Sequence, residues 1–149
     1  MKTLTVIPYE PGHLLQLADL RAEMGPYYQT REHAEAFYRC GPACSFFYQE
    51  ELLACGGLGI MWPGMAKAWM YTTQAVENHR VAFFKTFHDK VVSLFAAYAL
   101  HRVETEVLLD APNSWHLWML SLGFQIETLK KKYGPNKESY IAYVWIQED

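Results

Sequence analysis

The chain has 149 residues, 51% of them hydrophobic and 19% charged, with a formal charge of -3. That balance supports one domain, residues 1–149, with its own core, and excludes wholesale disorder. No basic stripe accompanies the slight acidity, so nucleic acid is not an expected partner. No apolar run reaches the ~18 residues of a membrane span, so no membrane is expected either.

In chain order, Thr3 to Pro8 reads as a first strand. Pro11 to Met24 reads as a helix, with Leu14, Leu15, Leu17, Leu20 and Met24 near helical spacing, broken by Gly25-Pro26. A second helix runs from Arg31 to Cys40, capped by Thr30, with Glu32 and Glu35 in its early turns. Ala43 to Glu50 and Leu52 to Met61 read as antiparallel strands with a tight turn near Glu50-Glu51. Gly56-Gly57-Leu58-Gly59 falls inside the second of these, where glycines mark a bulge or a close backbone approach. Trp62-Pro63-Gly64 makes the next turn and Ala66 to Thr73 a fourth strand.

A long helix from His79 to Leu100 carries Phe83, Phe84, Phe87, Val91, Leu94, Phe95 and Tyr98 on a broad apolar face. Arg102 to Asp110, rich in β-branched residues, is a fifth strand. One crossover helix joins strands four and five, so they should be parallel neighbours. A short helix follows Asn113, and Gln125 to Tyr133 and Ser139 to Gln147 form a closing hairpin over Gly134-Pro135-Asn136. The basic run Lys130-Lys131-Lys132 reads as a solvated strand end or turn. Cys40, Cys44 and Cys55 form no even disulfide framework and no zinc-spaced set. They fit free thiols in a reducing cytoplasm, and no metal is expected. The N-terminal MKTLTVIPYE shows no signal-peptide apolar region.

The block NSWHLWMLSLGF, from Asn113 to Phe124, resembles the last helix of the GNAT acetyltransferases, where an Asn-rich turn leads into a helix ending at Gly-Phe. The order of elements extends that resemblance over nearly the whole chain. It implies an α/β (α+β) fold: a mixed, mostly antiparallel central sheet, strands four and five parallel and splayed, helices on both faces. It also implies acetyl-CoA as cosubstrate in the slot between the splayed strands, and an amine acceptor on a protein or a small molecule. Family members often pair through their C-terminal strands, so a homodimer is an expectation. The glycine-poor loop, the aromatic fourth strand and the hairpin ending YIAYVW are similar to small GNAT-like proteins of tailed bacteriophages. That narrower likeness implies the host cytoplasm, and an alternative role in virion assembly or host modulation through protein contacts.

The resemblance places the pantetheine arm along Met70 to Thr73, with Tyr71, Thr72 and Thr73 as contacts, and the phosphates at the start of the long helix. There the family pattern is Arg/Gln-x-x-Gly-x-Gly/Ala. Here the stretch is Glu77-Asn78-His79-Arg80-Val81-Ala82, and Ala82 alone matches. In one reading His79 and Arg80 supply charge in place of the lost backbone nest, with Val81, Ala82 and Asn113 completing the coenzyme site. In the other, Asn78 is a helix cap, Glu77 answers the helix dipole, and no phosphate is bound.

Acetyl transfer to a lysine-like amine needs the neutral amine, which costs about 4–5 kcal/mol at pH 7 for a pKa near 10.4. Glu104 and Glu106 share one face of strand five, and Glu106 is the candidate base if that face lines the slot. Otherwise both glutamates meet solvent or pair with Arg102 and Lys67. The family's proton-donating tyrosine, four residues before the Gly-Phe glycine, is Met119 here. Tyr140 is the candidate replacement, with Tyr71 and Tyr143 as others; packing is the ordinary role of such strand tyrosines. Trp115 and Trp118 read as core anchors, and His88 and His116 as surface or packing residues.

Overall fold

The structure, a computed structural model, describes residues 3–17 and 29–148. Seven strands form one sheet: β1 (Thr5–Pro8), β2 (Ala43–Tyr48), β3 (Glu51–Trp62), β4 (Met65–Thr72), β5 (Arg102–Leu108), β6 (Gln125–Lys130) and β7 (Tyr140–Ile146). Their order is β1-β2-β3-β4-β5-β7-β6, antiparallel throughout except for β4 and β5. The helices are α1 (Pro11–Gln16), α2 (Arg31–Arg39), α3 (Arg80–Ala97) and α4 (Asn113–Ser121). The first helix is shorter than expected: it ends at Gln16, and Leu17 is already extended at φ -61° and ψ 112°, while residues 18–28, with the Gly25-Pro26 break, lie outside the described residues. No helix among the described residues is long and apolar enough to cross a membrane.

Side-chain alternation divides the core in two. Ala66 and Val103 pack with Phe95 of α3 and Met119 of α4 on one face. Trp69, Tyr71 and Cys55 pack with Leu14 of α1 and Ala34 and Phe37 of α2 on the other. Thr30 caps α2 as its sequence requires, accepting a hydrogen bond from the His33 amide at 3.3 Å. Tyr9 ties α2 to the sheet by donating to the Ala34 carbonyl at 2.8 Å. The β3 glycines serve a close approach: a Cβ on Gly57 would lie 2.5 Å from the Pro42 carbonyl oxygen. The bulges fall elsewhere, at Phe46/Phe47 and Ile60/Trp62. The β2–β3 turn sits at Gln49-Glu50, one residue earlier than expected, with Gln49 at φ 55°.

The entry to the long helix also differs from expectation. Thr73 spends both its amide and its hydroxyl on the Leu53 carbonyl, at 2.9 and 3.1 Å, and Val76 is buried in the core. The chain is thereby tightened into a 3-10 turn over Gln74–His79, and α3 begins only at Arg80. Asn78 is inside that turn, not at the cap; His79 holds the cap position and makes no side-chain capping bond.

The chain leaves α3 and α4 through the same device, in which it turns left-handed and returns two amide bonds to the last turn. After α4 the turning residue is Gly123, φ 95°, with Phe124 N–H on the Met119 carbonyl and Gly123 N–H on the Leu120 carbonyl, each 3.1 Å. Phe124 then drops into the core beside Met119, which accounts for the Leu-Gly-Phe signature. After α3 the turning residue is Ala99, φ 49°, with Leu100 N–H on the Phe95 carbonyl at 3.0 Å. Alanine pays a steric penalty there of roughly 1 kcal/mol.

The feature that positions the site is the short pairing of β4 with β5. It comprises Met65 with Arg102, Ala66 with Val103, and Lys67 with Glu104, and then stops. β4 continues to Thr72 and β5 to Leu108 with no ladder between them. At the vertex the Thr105 hydroxyl donates to the Ala68 carbonyl at 3.0 Å, so a side chain stands where a backbone amide would otherwise close the strands. Beyond it β5 is held from its other side by β7, along its full length from Arg102 to Leu108.

Two outcomes follow for urea denaturation at constant m-value. Ala99→Gly should raise stability by about 1 kcal/mol and Gly123→Ala should lower it by a similar amount, since each changes only the left-handed penalty. Thr105→Val should cost about 1–3 kcal/mol by leaving the Ala68 carbonyl without its donor. A neutral Thr105→Val would show that the hydroxyl does not hold the vertex.

Candidate active site

A cavity of about 690 Å3 occupies the space where β4 and β5 part. Phe46, Lys90 and Met119 line it from the α3/α4 side, and Trp69, Glu106 and Tyr140 from the α1/α2 side, so it runs through the sheet. Because the Ala68 carbonyl faces β5, strand alternation turns the Met70 N–H and C=O toward the same gap. The gap therefore offers an unpaired backbone edge inside a largely apolar slot. A narrow chain able to hydrogen bond like a strand fits that lining.

Lys67, Tyr71, Glu106 and Tyr140 line the cavity from the α1/α2 side. Glu106 lines the cavity and its Oε1 accepts from Lys130 Nζ at 2.7 Å; the side chains are 19% and 31% exposed. The ammonium also lies 4.5 Å from the centre of the Tyr133 ring. The hydrogen-bonded Glu106 carboxylate holds the Lys130 amine above its ordinary pKa. Lys130 is thus not a solvated strand end; Lys131 and Lys132 are the residues in the turn. Glu104 is committed to Arg102 at 2.7 Å, and Arg102 grips Glu127 through two bonds of 2.7 and 2.9 Å. Of the partners anticipated for the two glutamates, Arg102 takes Glu104, while Glu106 takes Lys130 and not Lys67. Tyr140 lines the cavity and meets Tyr133 edge to face at 5.6 Å. Tyr71 is buried, lines the cavity and tilts against Phe37 at 5.8 Å.

On the helix side the cavity contains a thiol, Cys44, whose pKa burial pushes up to about 11, so it is protonated at neutral pH and a poor nucleophile. His116 is not simply a packing residue: its Nδ1 is 2.6 Å from the Tyr143 hydroxyl, while its buried Nε2 has no partner. Tyr143 is buried, which raises its pKa. Trp118 packs against Phe83, Phe84 and Phe87, and His88 stays exposed beside Asp89. A serine–histidine contact does occur elsewhere: Ser45 Oγ lies 2.8 Å from His13 Nδ1, which also accepts the Glu10 amide. An Nδ1 that accepts a backbone amide carries no proton, so Ser45 is the donor. Ser45 is 0% exposed, so the pair holds α1 on the sheet.

The residues anticipated for the phosphates stand apart from this cavity. Arg80, 64% exposed, lies 3.5 Å from Glu77 and lines a smaller cavity of about 340 Å3 between the start of α3 and α4, with Phe84, Ser114 and Trp118. Val81 is 86% exposed and Ala82 is half-buried behind it. His79 is buried against Tyr48, ring centres 4.2 Å apart, with Nε2 3.8 Å from Glu51. Thr72 and Thr73 are buried, and the Thr73 hydroxyl is occupied by Leu53. Asn113 is exposed at the first position of α4. The fold therefore brings Tyr71, Glu106 and Tyr140 to one cavity and leaves the other site candidates outside it. Among the described residues no cluster of His, Cys, Asp and Glu is suited to a metal.

Sequence reasoning missed Thr105, Lys130, Lys90 and the Trp69–Phe37 stack, ring centres 4.2 Å apart. Strand alternation carried a signal for Thr105, a polar residue between Val103 and Val107 on an otherwise apolar face. Nothing local marks Lys130, because its partner is 24 positions away.

No protein-family profile and no curated protein sequence matches the chain. Solved structures do. Ard1 from Thermoplasma volcanium superposes with a TM-score of 0.81 at 13% identity, covering 99% of each chain. The ribosomal-protein-S18-alanine N-acetyltransferase of Escherichia coli gives 0.80 at 11%, covering 99% of this chain and 96% of its own. A GNAT family acetyltransferase from Elizabethkingia anophelis with acetyl-CoA bound gives 0.70 at 14%, covering 99% and 100%. At such identities the likeness is one of architecture, over nearly the whole chain: the chain has the GNAT fold.

Proposed function

We propose that the chain is an N-acetyltransferase that takes acetyl-CoA into the gap between β4 and β5 and delivers its acetyl group to an amine of a protein or a small molecule. The observation that carries this reading is the cavity through the sheet at the unpaired edge of β4, in a fold shared with a protein solved with acetyl-CoA bound. The coenzyme brings an acyl group already activated as a thioester.

The chain's own residues do the rest. Met70 pairs its backbone with the pantetheine amides in the manner of an added strand, beside Tyr71, Thr72 and Thr73. Arg80 turns from Glu77 to phosphate, a small loss for an exposed pair worth about 0–1 kcal/mol. His79, Val81, Ala82 and Asn113 frame that end of the site. The apolar cavity wall excludes water and lowers the local dielectric, which strengthens each remaining polar contact. Glu106 takes the acceptor's proton, directly or through water, when the Lys130 ammonium moves aside. Tyr140 gives a proton to the departing sulfur.

A second reading rests on the start of α3, where no glycine opens the first turn and Arg80 is engaged by Glu77. It is a non-catalytic scaffold of the same fold, of the kind the phage resemblance suggests, working through protein contacts. Coenzyme binding separates the two. Acetyl-CoA at a hundred times its dissociation constant should add about 2.7 kcal/mol, a rise in midpoint of roughly 5–10 °C for a chain of this size. An unmoved midpoint at millimolar acetyl-CoA would favour the scaffold. Arg80→Ala should weaken coenzyme affinity about tenfold, read by calorimetry; equal affinity would remove Arg80 from the site. Glu106→Gln should lower kcat about a hundredfold toward an identified acceptor while acetyl-CoA still raises the midpoint.

A further inference from the structure

We propose that Lys130 is a self-acylation site: its amine is stationed at the acceptor position and takes an acyl group from a thioester bound in the cavity. The inference rests on the acyltransferase reading above and adds a modification site on the chain itself.

Three observations place the amine. Lys130 Nζ lies 2.7 Å from Glu106 Oε1 and 4.5 Å from the centre of the Tyr133 ring, and Glu106 and Tyr133 both line the cavity. Glu106 follows Thr105, the residue at the vertex, so its backbone is about 3.3 Å farther along the strand. The reach across the sheet depends on register. Ala142 is the β7 residue facing Glu106 on one side and Thr128 on the other, and its small side chain leaves Lys130 a path over β7.

Two lysines line the cavity themselves, Lys67 and Lys90, whereas Lys130 meets it through Glu106 and Tyr133. Among the described residues neither makes an ion pair, and Glu104, beside Lys67 in register, is committed to Arg102. Among the described residues Lys130 is the lysine whose amine contacts a carboxylate that lines the cavity.

The step balances without a further reactant. The Lys130 ammonium gives one proton to Glu106, and the neutral amine nitrogen attacks the thioester carbonyl carbon. The C–N bond forms, the nitrogen sheds its second proton to solvent, the C–S bond breaks, and the sulfur leaves as a thiol with a proton from Tyr140, which the proton held on Glu106 restores through water. The products are an amide on Lys130 and the free coenzyme thiol. The amide is uncharged, so the pair with Glu106 is lost and the carboxylate is released toward the cavity. Because Glu106 favours the charged amine, the rate should climb by up to about tenfold per pH unit above neutrality, following the neutral fraction.

The test uses the full chain and acetyl-CoA alone. Intact mass, peptide mapping, thiol release and thermal midpoint are followed together across pH 7 to 9, a range chosen below the ordinary lysine pKa of about 10.4. The expected result is one acetyl group on Lys130, appearing at least about tenfold faster than on the turn residues Lys131 and Lys132, with a first-order rate independent of protein concentration. Lys130→Arg should abolish that product, and Glu106→Gln should slow it about a hundredfold. A midpoint raised by acetyl-CoA with Lys130 labelled no faster than Lys131 overturns the proposal and leaves the acyltransferase reading standing. Labelling of Lys130 that Glu106→Gln does not slow marks adventitious chemistry and also overturns it. Neither labelling nor a midpoint shift overturns both.

Discussion

Three rungs of parallel pairing between β4 and β5, ending at Lys67 and Glu104, determine what this molecule can do. Had the ladder run on to Thr72 and Leu108, the sheet would be continuous and its two faces would never communicate. The Thr105 hydroxyl on the Ala68 carbonyl satisfies the first acceptor left over when the ladder stops. The next backbone groups of β4, at Met70, face an open slot. A buried, unpaired strand edge is costly unless something pairs with it. The same gap that weakens the sheet is therefore a place prepared for an extended ligand.

The rest of the fold keeps that gap open. β7 pairs with every residue of β5, so β5 stays aligned without help from β4. On the helix side, Gly123 reverses the chain and sets Phe124 into the core beside Met119, fixing the end of α4 near the slot. On the other side, the Arg102 bridge between Glu104 and Glu127 and the Lys130–Glu106 pair clamp β6 across β7 to β5. These clamps differ in consequence. Arg102 neutralises two carboxylates away from the cavity, whereas Lys130 neutralises Glu106, which lines it.

Local pattern revealed most of the architecture. Period-two and period-3.6 apolar spacing located the strands and helices, and the Leu-Gly-Phe end of α4 was legible because its left-handed turn demands glycine and its next residue demands burial. The equivalent turn after α3 was obscure because Ala99 occupies it, and the helix was read three residues too long. The start of α3 was misread for a related reason: Thr73 and Val76, through contacts with distant Leu53 and the core, tighten Gln74–His79 into a 3-10 turn that no local signal demands. Within the site, the shared face of Glu104 and Glu106 followed from strand alternation, but their partners depend on register across β7 and so were out of reach. His79 shows the limit most clearly. It was a phosphate candidate by position, and the turn instead buries it against Tyr48.

The central claim is that the free edge of β4 is a ligand-pairing edge. Amide hydrogen exchange at Met70, with and without acetyl-CoA, tests it most directly. The account predicts that the Met70 amide exchanges readily in the free chain and is slowed by about tenfold or more when the coenzyme pairs with it. Exchange at Met70 that is already slow without ligand, or that acetyl-CoA leaves unchanged while protecting amides elsewhere, would contradict it.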